Sequence, residues 1–214
     1  MVENGVLLMK KNEGTPLIYD AVKPFSEGLA AVQKNHKWGF INKEQEIEIE
    51  FKYERVRSFS EGLAAVRIEG KWGVINRKGT WVIFSSFDYI KDFKEGITIV
   101  AAIKEGTTPY MEDETEDNRY FFEQKVDYEW CEGLEGFQVI DEKGTLITST
   151  TYDYISHFDS GLACVGNDRK YGFLDKNGVV VIPIQFYGAR PFSEGLAVVL
   201  FLYNLIKQKH SRME

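Results

Sequence analysis

The chain holds 214 residues, 43 % hydrophobic and 28 % charged, enough for one ordinary domain with a sizeable core. That composition excludes a disordered, collagenous or disulfide-scaffold protein, and a net charge of −7 argues against nucleic-acid partners and anionic membranes. The start, Met1-Val-Glu-Asn-Gly5, lacks a basic region followed by an apolar run, and no long apolar window follows. A soluble cytoplasmic chain without membrane insertion is expected.

In chain order, residues 1–24 read as a partial unit, with Gly5 and Tyr19 each 34 positions before Gly39 and Tyr53. Residues 25–58 open with Phe25-Ser-Glu-Gly-Leu-Ala-Ala-Val32, and residues 59–92 with Phe59-Ser-Glu-Gly-Leu-Ala-Ala-Val66. Phe93-Lys-Glu-Gly-Ile-Thr-Ile-Val100 opens a third unit, 93–157, which carries an insertion at 104–134. Phe158-Asp-Ser-Gly-Leu-Ala-Cys-Val165 opens 158–191, and Phe192-Ser-Glu-Gly-Leu-Ala-Val-Val199 opens an incomplete unit, 192–214. Thirteen positions past Phe25, Phe59 and Phe158 stand Trp38-Gly39, Trp72-Gly73 and Tyr171-Gly172. Phe137-Gln138 falls in the same slot once the insertion is removed. Six positions before each Phe lies Tyr19, Tyr53, Phe87, Tyr152 or Phe186. A fixed period of this length is the mark of a stacked repeat architecture.

Lys37-Trp38-Gly39, Lys71-Trp72-Gly73, the Phe-Ser-Glu-Gly-Leu-Ala segments and the following Lys-x-Gly turns resemble the WG-repeat family, also called KWG repeats. The resemblance covers nearly the whole chain outside the insertion. It implies a β-repeat architecture of a kind widespread in bacterial proteins and no defined enzymatic activity.

Each unit reads as three short strands joined by tight turns. Leu29 and Ala31 fall on one face of the first strand and Ala30 and Val32 on the other. Small residues at Ala30, Ala64, Thr98, Ala163 and Ala197 predict close approach by a neighbouring unit. Gly28, Gly62, Gly96, Gly161 and Gly195 predict turns with positive φ. Asn76-Arg-Lys-Gly79, Asp141-Glu-Lys-Gly144 and Asp175-Lys-Asn-Gly178 have the pattern of a type I turn with a Gly bulge. Gln45 takes the Gly place in the first unit and predicts strain there. The fold class expected is all-β: tandem 34-residue three-stranded hairpin repeats stacked as an open solenoid. A small propeller-like ring is the alternative, disfavoured because propeller blades usually take roughly 40 to 50 residues.

The insertion holds ten acids against Lys104, Arg119 and Lys125, the whole net charge of the chain. Its run Glu112-Asp-Glu-Thr-Glu-Asp117 lacks the alternating ligands and the Gly of a calcium loop, so a solvated acidic loop is expected and not a metal site. Tyr120, Phe121, Phe122, Tyr128 and Trp130 make it strongly aromatic and are the candidate partner-binding residues. Cys164 sits in a small-residue strand slot and reads as inert, while Cys131 lies in the insertion without a His nearby. His36, His157 and His210 occupy unrelated repeat positions. Without a triad, a phosphate-cradling loop or clustered ligands, no catalytic residue, cofactor or metal is expected. The function expected is a non-catalytic scaffold for protein–protein interaction. The alternative is a carbohydrate or cell-wall module stacking sugars on Trp38, Trp72, Phe137 and Tyr171.

Overall fold

Five Glu-Gly or Ser-Gly pairs set the geometry of the chain. Glu27, Glu61, Glu95, Ser160 and Glu194 have φ between 50° and 56°, and the glycines that follow, 28, 62, 96, 161 and 195, between 76° and 83°. Two successive left-handed residues make a type I′ turn, whose twist matches that of the flanking strands. Ser26 and Leu29 accordingly exchange backbone hydrogen bonds of 2.8 and 3.0 Å, and the other four turns do the same. All five glycines expected at positive φ are there.

The computed structural model describes residues 6–8, 17–107 and 133–201, and these contain strands without helices. At the head, β1 (Val6–Leu8) pairs with β2 (Leu17–Tyr19). A four-stranded antiparallel sheet then follows the order β3 (Ala21–Val22), β4 (Leu29–Lys34), β5 (Lys37–Asn42), β6 (Ile47–Tyr53). The next repeats it with β7 (Arg55–Val56), β8 (Leu63–Ile68), β9 (Lys71–Asn76) and β10 (Trp81–Phe87). The third has three strands, β11 (Tyr89–Ile90), β12 (Ile97–Ile103) and β13 (Leu134–Asp141). A further four-stranded sheet comprises β14 (Tyr154–Ile155), β15 (Leu162–Asn167), β16 (Lys170–Asp175) and β17 (Val180–Phe186). At the tail, β18 (Gly188–Ala189) pairs with β19 (Val199–Leu200). To the three strands expected per unit the structure adds a two-residue lead strand, too short to be visible as a pattern.

The glycine after Trp38 or Trp72 has a steric explanation. A Cβ built on Gly39 would lie 2.6 Å from the Ile49 carbonyl oxygen, one on Gly73 would lie 2.7 Å from that of Ile83, and one on Gly172 would lie 2.5 Å from that of Ile182. The closing strand of each sheet therefore crosses directly over the glycine, and its ladder shifts register there. In the third unit Gln138 holds this slot. Its closing segment meets β13 at isolated bridges, Ile140 to Leu146 and Phe137 to Tyr152, and at Thr148 Oγ1, which accepts the Val139 N–H at 3.2 Å, and forms no strand between them. The side chain at 138 is the physical reason: a closing strand needs the space that glycine leaves.

Successive sheets bury each other. Ala30 and Val32 of β4 pack back on Tyr19, while Leu29 and Ala31 pack forward with Tyr53, Phe59, Ala64 and Val66. Ala65 and Val74 join Phe93 and Val100 in the next layer, then Ile97 and Ile99 join Phe158 and Ala163, and Cys164 and Phe173 close the series with Ala189. Among the described residues no sheet closes on another to form a barrel, and they form an open stack. Phe59, Phe93 and Phe158 are buried, as their phase requires, and Phe59 meets Phe40 of the preceding unit edge-on at 4.8 Å. Phe25 departs from the pattern at 43 % exposure, and the place that Phe40 holds opposite Phe59 falls to the smaller Val6 in the partial unit before it.

Candidate functional site

The Phe-Ser-Glu-Gly turn is a connector between units. Ser26 Oγ donates to the Phe59 carbonyl at 2.6 Å, and Ser60 Oγ to the Phe93 carbonyl at 2.9 Å. The Glu27 carboxylate accepts the Gly62 N–H at 2.9 Å, and Glu61 accepts the N–H groups of both Glu95 and Gly96. Each turn thus caps the next, 33 to 35 positions along the chain. At the third junction the chemistry changes. Lys94 Nζ replaces Ser and reaches the Phe158 carbonyl at 3.5 Å, and Glu95 pairs with Lys176.

At the opposite end of the sheets the inner hairpins turn in two residues. Asn35-His36, Glu69-Gly70 and Asp168-Arg169 all have positive φ. A carboxylate one position after the Tyr/Phe slot holds each turn: Asp20 accepts the His36 N–H at 3.1 Å, Glu54 that of Gly70 at 3.1 Å, and Asp153 that of Asp168 at 2.9 Å. Asp88 has the same place in the third unit and accepts the Ile103 N–H at 3.3 Å and a bond from Lys71. Desolvation pushes the Asp88 carboxyl up, but the Lys71 ammonium and the Ile103 N–H outweigh it and leave its pKa below the ordinary value.

The turns into the closing strands use Asn and Asp as acceptors. Asn76 Oδ1 accepts the N–H groups of Lys78 and Thr80, Asp141 those of Lys143 and Thr145, and Asp175 those of Asn177 and Val179. Burial pushes the Asp141 carboxyl up, and its hydrogen bonds from Thr145 and Lys143 bring it below the usual range. For Asp175 the Val179 N–H is the main cause of the same lowering.

The aromatic slots are brought into one repeated environment. Trp38, Trp72 and Tyr171 stand opposite Tyr53, Phe87 and Phe186, and Phe137 bridges Tyr152. Trp72 and Phe137 are buried, and Trp38 and Tyr171 half-buried. Cations cover two of the rings, with Lys23 5.7 Å from the Trp38 centroid and Arg57 5.6 Å from that of Trp72. These rings form an internal ladder.

Tyr120, Phe121, Phe122, Tyr128 and Trp130, with Cys131, lie outside the described residues. The root of the insertion is described: Ile103 faces Leu134, and Lys104 N–H bonds the Gly133 carbonyl at 2.9 Å. That root meets Asp88 at the end of β10. The outer row of β10 carries Val82, a 76 % exposed Phe84 that stacks on Trp81 at 6.1 Å, and Ser86. The same positions of β6 hold Glu48 and Glu50, and β17 carries Pro183. An exposed edge is normally blunted by such residues, and β10 lacks them. The repeat alignment contained this signal, since Phe84 stands where the first unit has Glu50.

Among the described residues, no group of three or more His, Cys, Asp or Glu side chains could hold a metal ion, and no helix is long and apolar enough to cross a membrane. Cys164 is fully buried. A search of curated proteins finds no match. The family model described as WG containing repeat matches five times, at residues 9–38, 38–72, 72–106, 139–171 and 171–201. With that spacing carried by its stacked sheets, the chain belongs to the WG-repeat family.

Proposed function

We propose that this chain is a non-catalytic repeat scaffold that mediates protein–protein interaction. The carrying observation is the outer row of β10, where Val82 and Phe84 face solvent on an unblunted edge strand that ends at the root of the acidic, aromatic insertion. Exposed aromatic anchors are features of protein-binding surfaces. The motif residues support the same reading, because their hydrogen-bonding groups are engaged in holding turn to turn. Sugar stacking is disfavoured by the burial of Trp72 and Phe137 and by the cations over Trp38 and Trp72.

Affinity capture from cell extract tests the proposal with three baits: the full chain, Phe84→Ser, and a chain with the insertion replaced by a short turn. A protein retained by the full chain and lost from both variants is the expected result. A captured set identical for all three baits overturns this surface as the contact. Retention on insoluble polysaccharide that is lost in Trp38→Ala would support the carbohydrate reading instead.

A further inference from the structure

One side of the stack carries no charge over three successive units. The closing segments 80–87, 145–152 and 179–186 hold no Asp, Glu, Lys or Arg, in a chain that is 28 % charged. The same segment of the unit before them, 46–53, holds Glu46, Glu48, Glu50 and Lys52. These segments lie side by side, because each packs on the turn that opens the next. A Cβ built on Gly79 would lie 3.4 Å from Ile49, one on Gly144 3.3 Å from Ile83, and one on Gly178 2.6 Å from the Ile147 carbonyl oxygen. Val82, Phe84, Leu146, Val179 and Val181 are exposed on the uncharged segments, with Thr80, Thr145, Ser149 and Thr151 among them. An exposed apolar patch continued from unit to unit marks a contact surface.

We propose that the occupant of this plate is a second copy of the chain, bound face to face about a two-fold axis. The proposal rests on the reading of the β10 face as a protein contact and names the partner. Its size suits one. At about 3.3 Å per residue along a strand and about 10 Å between stacked sheets, the plate measures roughly 25 Å by 30 Å, on the scale of the roughly 800 Å² that each partner buries in a standard interface. Its borders are self-complementary. Along the side toward the head runs the exposed acidic row of β6, where the Asn42 amide donates to Glu46 and Glu48 at 2.9 Å and holds them in place. Beyond the start of β10 stand the exposed Arg77 and Lys78. These borders lie on different edges of the plate, so a two-fold axis oblique to the strands exchanges them. Each copy then lays Glu48 and Glu50 on Arg77 and Lys78 of the other, and the contact is made twice, with Phe84 and Leu146 enclosed between. Charge pairs at the rim fix the register, and the uncharged centre is covered without burying an ion. Such an isologous interface closes at two copies.

Sedimentation velocity on the full chain across a concentration series is the test, with every variant checked for native circular dichroism. Glu48→Lys with Glu50→Lys makes both borders basic, and Arg77→Glu with Lys78→Glu makes both acidic. The full chain is expected to reach the mass of a dimer and stop. Phe84→Ser and each charge variant alone should stay monomeric, and an equimolar mixture of the two charge variants should restore the dimer. A full chain that stays monomeric, or that grows past two copies, overturns the proposal. So does a dimer untouched by Phe84→Ser or by either charge variant, or a mixture that remains monomeric. The capture experiment above tests the underlying reading separately. A different protein lost from the Phe84→Ser bait, while the chain itself stays monomeric, keeps this face as a protein contact and removes the second copy as its occupant.

Discussion

Glycines in this chain serve two different physical ends, and substitution separates them. Gly62 has φ +76° and open space around its Cβ position, whereas Gly73 has ordinary backbone angles and backbone atoms of β10 within 2.7 Å of that position. Gly62→Ala should cost about 1–2 kcal/mol, the left-handed penalty of an L-residue. Gly73→Ala should cost about 2–3 kcal/mol or more, since β10 must lift away. Urea unfolding of the two variants measures both, and an equal or reversed order would contradict the steric account of the Trp-Gly motif. Gln45 lies at φ 66° where the other units have glycine. Gln45→Gly should therefore raise stability by about 0.5–1 kcal/mol, part of the left-handed penalty being offset by the freedom glycine adds to the unfolded chain. The left-handed glycines were legible in the sequence because turn chemistry is local. The demand at Gly73 was not, since the atoms that impose it belong to a strand ten residues further on.

At the scale of the element, the turns and their caps decide how the sheet responds to acid. The carboxyls of Asp88, Asp141 and Asp175 lie below their ordinary pKa in the folded chain. Each contributes stability that is present above the unfolded value of about 4 and is lost as pH falls through the lower folded value. The melting temperature should thus fall as the pH drops below about 4 in the native chain. Asp141→Asn with Asp175→Asn should reduce that fall, because Asn keeps the Oδ1 acceptor, as Asn76 shows in the same turn. Thermal melts across this range are the check, and an unchanged acid dependence in the double variant would remove these turns from the account. Strand order within the hairpins was readable from period and turn pattern. The lead strands were not, since two residues carry no periodicity. The roles of Ser26, Ser60, Glu27 and Glu61 were also hidden: their partners lie one repeat away, and in isolation each reads as part of a local turn.

On the scale of the whole molecule, an open array gains stability from each interface between neighbours and leaves its terminal units weakest. Among the described residues the insertion leaves the stack between Lys104 and Gly133, at one hairpin tip, and shortening it beyond that root should leave the layers of the core in place. The structure also fixes where to cut. Joining Ile103 directly to Glu135 would place a β-branched residue in a left-handed turn position, whereas keeping the Lys104 to Gly133 bond and bridging it with Asn-Gly supplies a type I′ turn. That shortened chain should keep one cooperative melt and a β-rich spectrum by circular dichroism. Loss of the transition would make the insertion part of the core. Hydrogen exchange followed by mass spectrometry, on chain dilute enough to be monomeric, tests the open stack most directly. Protection should be highest in β8, β9, β12 and β13 and fall toward β1–β2 and β18–β19 at the two ends. Protection as strong at both ends as in the centre would mean that the ends pair within one chain, and the array would be a closed ring.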